Sequence, residues 1–267
     1  MRRPLTTTVL IVTPVLFMAI AQLHGQPPQA SDKKPAFEVA TIKRNTSLDA
    51  NGGMRNEPGG RFQAVNAPVF WLVARAYSGP VGVLRPSQII GAPSWLESEH
   101  YDIAAKAADA ADMADIAGTR LLLRSLLEDR FKLRVHADQR ELPIYALVRV
   151  RNDGGLGPRF KQTTPDCFQE SAQCGFTGGP VGRIKADAIP MDLLTQLLAG
   201  ASDRIVVDRT GLKGGFDIDL EWSPDQTASD KPSIFTAVRE QLGLRLESTK
   251  APVPVIVVDH VERPTPD

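Results

Sequence analysis

The chain is short of the residues on which catalytic and metal centres are usually built. Its 267 residues include two cysteines, four histidines, three tryptophans and three tyrosines. No His-x-x-x-His or His-Glu-x-x-His spacing occurs, which excludes a zincin-type metal helix. No Gly-x-Ser-x-Gly elbow occurs either, and Ser94, Ser125 and Ser202 have no recognisable partner in sequence. A triad assembled in space stays open, because sequence order does not define one. Charge of one sign is also missing: 31 basic residues balance 31 acidic ones. Nucleic acid and anionic membrane surfaces both call for a basic excess, so neither is expected as a partner. Long apolar runs are absent too. The run from Val9 to Ala21 falls short of the about 20 residues a spanning helix needs.

That run instead has the layout of a secretory leader. Arg2 and Arg3 precede it, Ala19-Ile20-Ala21 offers a small-x-small cleavage site, and Gly25 offers a second. Residues 1–25 are therefore expected to be a signal peptide, with an uncleaved anchor as the alternative. The mature chain is expected in the periplasm or outside the cell, touching the membrane only through the leader during export. In that compartment Cys167 and Cys174, close together in CFQESAQC, are expected to form a disulfide. So short a loop contributes only about 2.5 kcal/mol on the chain-entropy model.

The rest of the chain repeats itself. GRFQAVNAPVFWLVARAY from Gly60 resembles GRIKADAIPMDLLTQLL from Gly182. EHYDIAAK around Asp102 resembles GGFDIDLEW around Asp217, and FKLRVHADQRELPIYALV from Phe131 resembles LGLRLESTKAPVPVIVVD from Leu242. The offsets shrink from 122 to 115 to 111 residues, as shorter loops in a second copy would produce. Hydrophobic periodicity predicts an α+β fold of two similar strand–helix–strand–helix–strand–strand units arising from an internal duplication. Phe62 and Ala64, like Ile184 and Ala186, alternate with polar neighbours as in strands. Pro68 and Pro190 open helices, and second helices are expected over Ile116 to Phe131 and Ser233 to Leu242. Each unit is expected to close with two strands, the second starting near Pro143 or Pro254. The expected layout is a linker with an N-terminal strand or loop over 26–60, units at 61–150 and 182–264, and a connector with the cysteine pair at 151–181. Within it, Asn45 to Gly60 reads as a long loop and the Gly-rich turn at 154–157 as a hairpin tip or connector.

Two constellations remain as candidate sites. Asp217, Asp219 and Glu221 alternate in FDIDLEW, so on a strand their carboxylates would line one side about 7 Å apart. They could hold a cation, or they could be the solvated face of a half-buried strand. Trp95, His100, Tyr101 and Asp102 in the loop-like run SWLESEHYD form a candidate binding patch, with Trp95 as an aromatic anchor or a lid on the core. His136 and His260 do not match between the copies, since Glu247 stands opposite His136. His136 therefore reads as part of the architecture.

The blocks NAPVFWLVARAY, IIGAPSWLESEHYDIAAKA, LLRSLLEDRFKLRVHADQRELPIYALV, VVDRTGLKGGFDIDLEWSPD and QLGLRLESTKAPVPVIVVDHVERP resemble, in this order, the soil-associated protein family of unknown function. The resemblance runs from about Phe37 to Pro264, with GLGPRF departing from the family's Gly-Gly-Pro-Lys-Leu form. It implies an exported protein with many paralogues, but no activity and no catalytic residues. Related domains are attached to membrane-bound metallopeptidase sensors, whose protease motif and membrane spans this chain lacks. The expected function is a non-catalytic binding or interaction module of the cell envelope, needing no cofactor or metal. Its partner would be an envelope protein, a peptide or a glycan. The alternative is a periplasmic hydrolase assembled around Asp217, Asp219, Glu221 and a histidine.

Overall fold

Two prolines mark where strand turns into helix in each half of the chain. In the computed structural model, Pro68 and Pro190 are the N-caps of α1 (Val69–Ala76) and α4 (Met191–Gly200), each with extended backbone. The fixed proline φ suits this junction, where no backbone N–H is needed. The structure describes residues 34–47, 51–79, 83–151, 155–163, 176–178, 181–224 and 231–265. The expected leader and the expected Cys167–Cys174 disulfide lie outside these residues.

The fold is α+β, built on three four-stranded sheets. The first sheet orders its strands β1 (Phe37–Asn45), β5 (His100–Ala107), β3 (Arg61–Pro68) and β2 (Gly53–Glu57). Another runs β7 (Phe160–Thr163), β11 (Gly215–Glu221), β9 (Arg183–Pro190) and β8 (Phe176–Gly178). Position by position, the two orders correspond. The ladders correspond too: His100 faces Asn45 and Pro68, and Gly215 faces Thr163 and Pro190. Left-handed backbone recurs at matching sites, Gly60 with Gly182, Asn66 with Ala188 and Lys132 with Gly243.

The third sheet joins the halves. Its order is β10 (Ile205–Asp208), β6 (Arg134–Arg149), β12 (Leu244–His260) and β4 (Ile89–Ile90). β6 and β12 pair antiparallel over nearly their whole length, with Glu141 facing Pro252, the residue 111 positions on. The short strands are exchanged: β4 of the first half lies parallel to β12, and β10 of the second lies parallel to β6. A strand of 16 residues spans roughly 50 Å, enough to cross two cores.

This corrects the expectation of two closing strands in each unit, because each closing segment is one unbroken strand. The prolines that suggested a break sit where the ladder does not use their nitrogen. Val150 donates its backbone N–H to Gly243, which makes that pair hydrogen-bonded. By alternation, the pairs holding Pro143, Pro252 and Pro254 are the non-hydrogen-bonded ones. The Pro254 carbonyl indeed turns away from β6 and accepts from the Gln88 side chain at 3.1 Å.

Two further expectations change. Asn45 to Gly60 is not one loop, since it contains β2, and its Pro-Gly-Gly is the tight turn into β3, with Gly59 at φ 78° and Gly60 at φ 72°. The connector over 151–181 contributes β7 and β8 to the second half's sheet. The helix expected from Ser233 is α5 (Ile234–Ala237), capped by the Ser233 hydroxyl and continued by a π turn over Val238–Leu242.

Two main cores result, and each takes residues from the other half's long strand. The first gathers Ile42, Phe62, Leu72 and Ile103 with Leu122, Leu123 and Leu127 of α3 (Ile116–Arg130), together with Ile256 and Val258 of β12. The second is centred on Phe160 stacked on Phe216 at 4.7 Å, and it includes Tyr145 and Leu147 of β6. A smaller cluster of Ile144, Ala251 and Val253 lies under the crossing.

Candidate functional site

The structure distributes the sequence candidates over separate tasks. Asp102 and Asp217 do the same structural work. Asn66 and Ala188 each have positive φ, at a register irregularity between β3 and β5 or between β9 and β11. The Asp102 carboxylate accepts the Asn66 N–H at 2.8 Å, and Asp217 accepts the Ala188 N–H at 2.9 Å. A side-chain carboxylate thus replaces the ladder bond that the bulge removes. Asp102 also accepts two bonds from the Asn45 amide, at 2.9 and 3.1 Å.

The other two acids of the alternating series are neutralised locally. Asp219 receives both Nε and Nη2 of Arg183, at 3.1 and 3.0 Å. Glu221 lies 3.4 Å from Arg183 and 3.6 Å from Arg159. Three carboxylates on one strand face are therefore committed to a backbone amide and two guanidinium groups. Among the described residues no cluster of His, Cys, Asp and Glu has the arrangement of a metal site.

Trp95 and Tyr101 belong to a clamp on the C-terminal segment. Trp95 opens the one-turn helix α2 (Trp95–Ser98), and the Arg263 guanidinium stacks 5.0 Å above its ring. Arg263 also grips Glu99 through Nη2–Oε1 at 2.8 Å and Nε–Oε1 at 3.0 Å. The Tyr101 hydroxyl donates to Glu99 at 3.1 Å, while its ring is buried edge-on to Phe131. The hydrogen bond from Arg263 holds the Glu99 carboxyl below the usual range. Burial, and after it the bond to Glu99, pushes the Tyr101 phenol up to about 12. Sequence reasoning had no signal for Glu99 or Arg263, which are 164 positions apart.

His100 keeps different company. Its Nδ1 lies 3.1 Å from the Asn66 carbonyl oxygen and 2.9 Å from the Asn66 side-chain oxygen. It lines a polar hollow of about 390 Å³ with Arg44, Thr46, Ser47 and Ser98. His136 pairs with Asp259 at 2.9 Å on the exposed face of the β6–β12 ladder, and His260 pairs with Glu262 at 2.8 Å. His260 borders an open hollow of about 700 Å³ with Tyr77, Arg124, Lys132 and Arg134. The Arg124 guanidinium lies over the Tyr77 ring there, and burial raises the Tyr77 phenol.

A cleft opens at the junction of the halves, lined by none of the candidate site residues that the sequence singled out. It encloses about 570 Å³ between Val83, Leu84 and Arg85 of the first half and Ala199, Gly200 and Ile205 of the second, with Pro254 at its side. Its lining is mainly apolar. Its one cation among the described residues is already used as a tie: Arg85 donates to the carbonyl oxygens of Ala199 and Ser202 at the C-terminal end of α4, the latter at 3.0 Å. A guanidinium is favoured there, where helix carbonyls lack intrahelical donors. Gln88 similarly spends its amide on Pro254. The volume falls within the range of small-ligand sites, and the junction of two structural units is a common place for one.

A family model described as a protein of unknown function, DUF3738, matches residues 71–261, from the first turn of α1 to just past β12. No curated protein and no solved structure matches the chain.

Proposed function

Starting from a chain that belongs to the DUF3738 family of proteins of unknown function, we propose an exported binding module of the cell envelope that holds a small ligand with an apolar body in the cleft between its halves. The observation that carries this reading is the cleft itself, with its walls from both halves and its mainly apolar lining. The Arg85 and Gln88 ties brace it from one half to the other.

The occupant is a compact molecule rather than an added strand. At Pro252 and Pro254 the outer side of β12 has no N–H to offer, so this edge is blunted against strand addition. Export is supported by the leader pattern at residues 1–25, and with it the pairing of Cys167 and Cys174. Membership of the soil-associated group is supported by the ordered sequence blocks. Duplication as the origin of the halves is supported by their matching strand orders, ladders and left-handed positions.

Gly200 gives a clean test. It lines the cleft, and a Cβ added there meets no atom within 4 Å. Gly200→Leu should fill the cleft while leaving the fold intact. Titrating the mature protein with an apolar anilinonaphthalene dye should give saturable binding, weakened at least tenfold in Gly200→Leu at unchanged melting temperature. Equal binding by both proteins would remove the cleft as the site. Fractionation of cells making the full chain tests export, which fails if the protein stays with its leader in the cytoplasm.

A further inference from the structure

The two halves share one scaffold, so side chains that differ at matching positions point to what one half does alone. At the bulge, the shared part is the left-handed residue and the aspartate that holds its N–H. Around it the halves diverge. The first has Asn45, Asn66, Glu99 and His100, where ladder register and sequence spacing place Thr163, Ala188, Gly214 and Gly215 in the second. None of these four polar groups is needed to make the bulge, because the second half makes it without them.

What they add is a histidine of defined tautomer. The Asn66 carbonyl oxygen can only accept, so Nδ1 of His100 at 3.1 Å must carry the proton. In the neutral ring Nε2 then has a bare lone pair, and it makes no hydrogen bond among the described residues. Asn66 is itself fixed, being buried and held by Asp102, which in turn is held by Asn45. The ring therefore sits at the end of a chain of satisfied groups, with one acceptor left over.

The hollow that His100 lines is polar throughout. Thr46, Ser47 and Ser98 bring hydroxyls, and Arg44 brings a cation. Arg44 is only loosely engaged: its side chain is 58% exposed and 3.4 Å from Glu99, whose carboxylate is already gripped by Arg263 and Tyr101. A ligand carboxylate can recruit Arg44 without leaving Glu99 unpaired. A hydroxyl on the same ligand can donate to Nε2 of His100.

We propose that this hollow, separate from the cleft between the halves, is a binding site for a small polyhydroxylated acid of the sugar-acid class. Arg44 takes the carboxylate, His100 accepts from a hydroxyl, and the neighbouring hydroxyl side chains pair with the rest.

The test is a titration of the full mature protein with D-glucuronate, followed by side-chain ¹⁵N NMR of His100 and by calorimetry. D-glucose and propionate serve as arms that carry only the hydroxyls or only the carboxylate. Glucuronate should shift the His100 Nε2 signal, and glucose and propionate should each bind at least tenfold more weakly. Arg44→Ser, at an exposed position, should lower glucuronate affinity at least tenfold with the melting temperature unchanged. His100→Phe should abolish binding. Gly200→Leu, which fills the other cleft, should leave glucuronate binding unaltered. An unshifted His100 signal overturns the proposal. So does propionate binding as tightly as glucuronate, or full affinity in Arg44→Ser.

Discussion

The two halves of this molecule use one backbone plan to different ends. Both turn from strand to helix at a proline, and both carry a left-handed residue clamped by an aspartate. The second half fills the plan sparingly, with Ala188 at the left-handed site, glycines at 214 and 215, and Phe216 stacked on Phe160. The first half loads the same positions with Asn66, Glu99, His100 and Tyr101, pairs His100 with Asn66, and ties Glu99 to Tyr101 and to Arg263. The difference separates scaffold from elaboration: what both halves keep holds the backbone, and what one half adds is available for recognition. The halves are nonetheless not independent, since each core is completed by the other's long strand.

That interdependence predicts the largest effect. Segments 35–151 and 155–265 produced separately should each lack a native sheet signal by far-ultraviolet circular dichroism, and mixing should restore it. Either segment folding alone would show that the exchange of β4 and β10 is dispensable.

The tyrosines give the next contrast. All three phenols are raised, each mainly by burial. A phenol held above its ordinary value of 10.0 favours the folded state below that pH, and the advantage is lost as pH rises through the folded value, about 12 for Tyr101. Little tyrosinate absorbance should therefore appear near pH 10, and stability should fall between pH 10 and 12. Tyr101→Phe, which copies Phe216 of the second half, should blunt that fall in urea titrations at alkaline pH.

The paired aspartates should separate by degree. Asp102→Ala removes bonds to Asn66 and to Asn45 and should cost about 2–3 kcal/mol; Asp217→Ala removes the bond to Ala188 and should cost about 1–2 kcal/mol. Urea unfolding of both variants checks the order, and equal costs would mean that Asn45 adds nothing. The smallest effect is a gain. A left-handed alanine costs about 1–2 kcal/mol, partly offset by the greater chain entropy of an unfolded glycine. Ala188→Gly should stabilise by about 0.5–1 kcal/mol in the same assay, whereas Asn66→Gly should not, because it gives up the contact with His100.

Much of this plan can be read from the residues because it is local. Alternation in Phe62 and Ala64, the prolines before α1 and α4, and the apolar stripe of α3 follow from periodicity and backbone chemistry. The closing strands misled for an equally physical reason. A proline marks a break only if its missing N–H was needed, and that depends on which side of a ladder it faces. The candidate sites were half legible. His100 and Asp102 stand out by residue type, but their partner Asn66 comes from another strand. Its one signal is an asparagine where the matching block has alanine.

The sequence by itself determined the α+β class, the matching blocks, the balanced charge and the lack of any local catalytic or zinc motif, because each depends on near neighbours or on composition. Only the tertiary structure decided that the long strands cross, that the short strands are exchanged, and that a cleft opens between Arg85 and α4. It also decided that the three carboxylates of FDIDLEW are committed to a backbone amide and to arginines, and that Nδ1 of His100 is spent on Asn66 while its Nε2 makes no hydrogen bond among the described residues. Those outcomes rest on pairings between residues far apart in sequence, which periodicity does not encode.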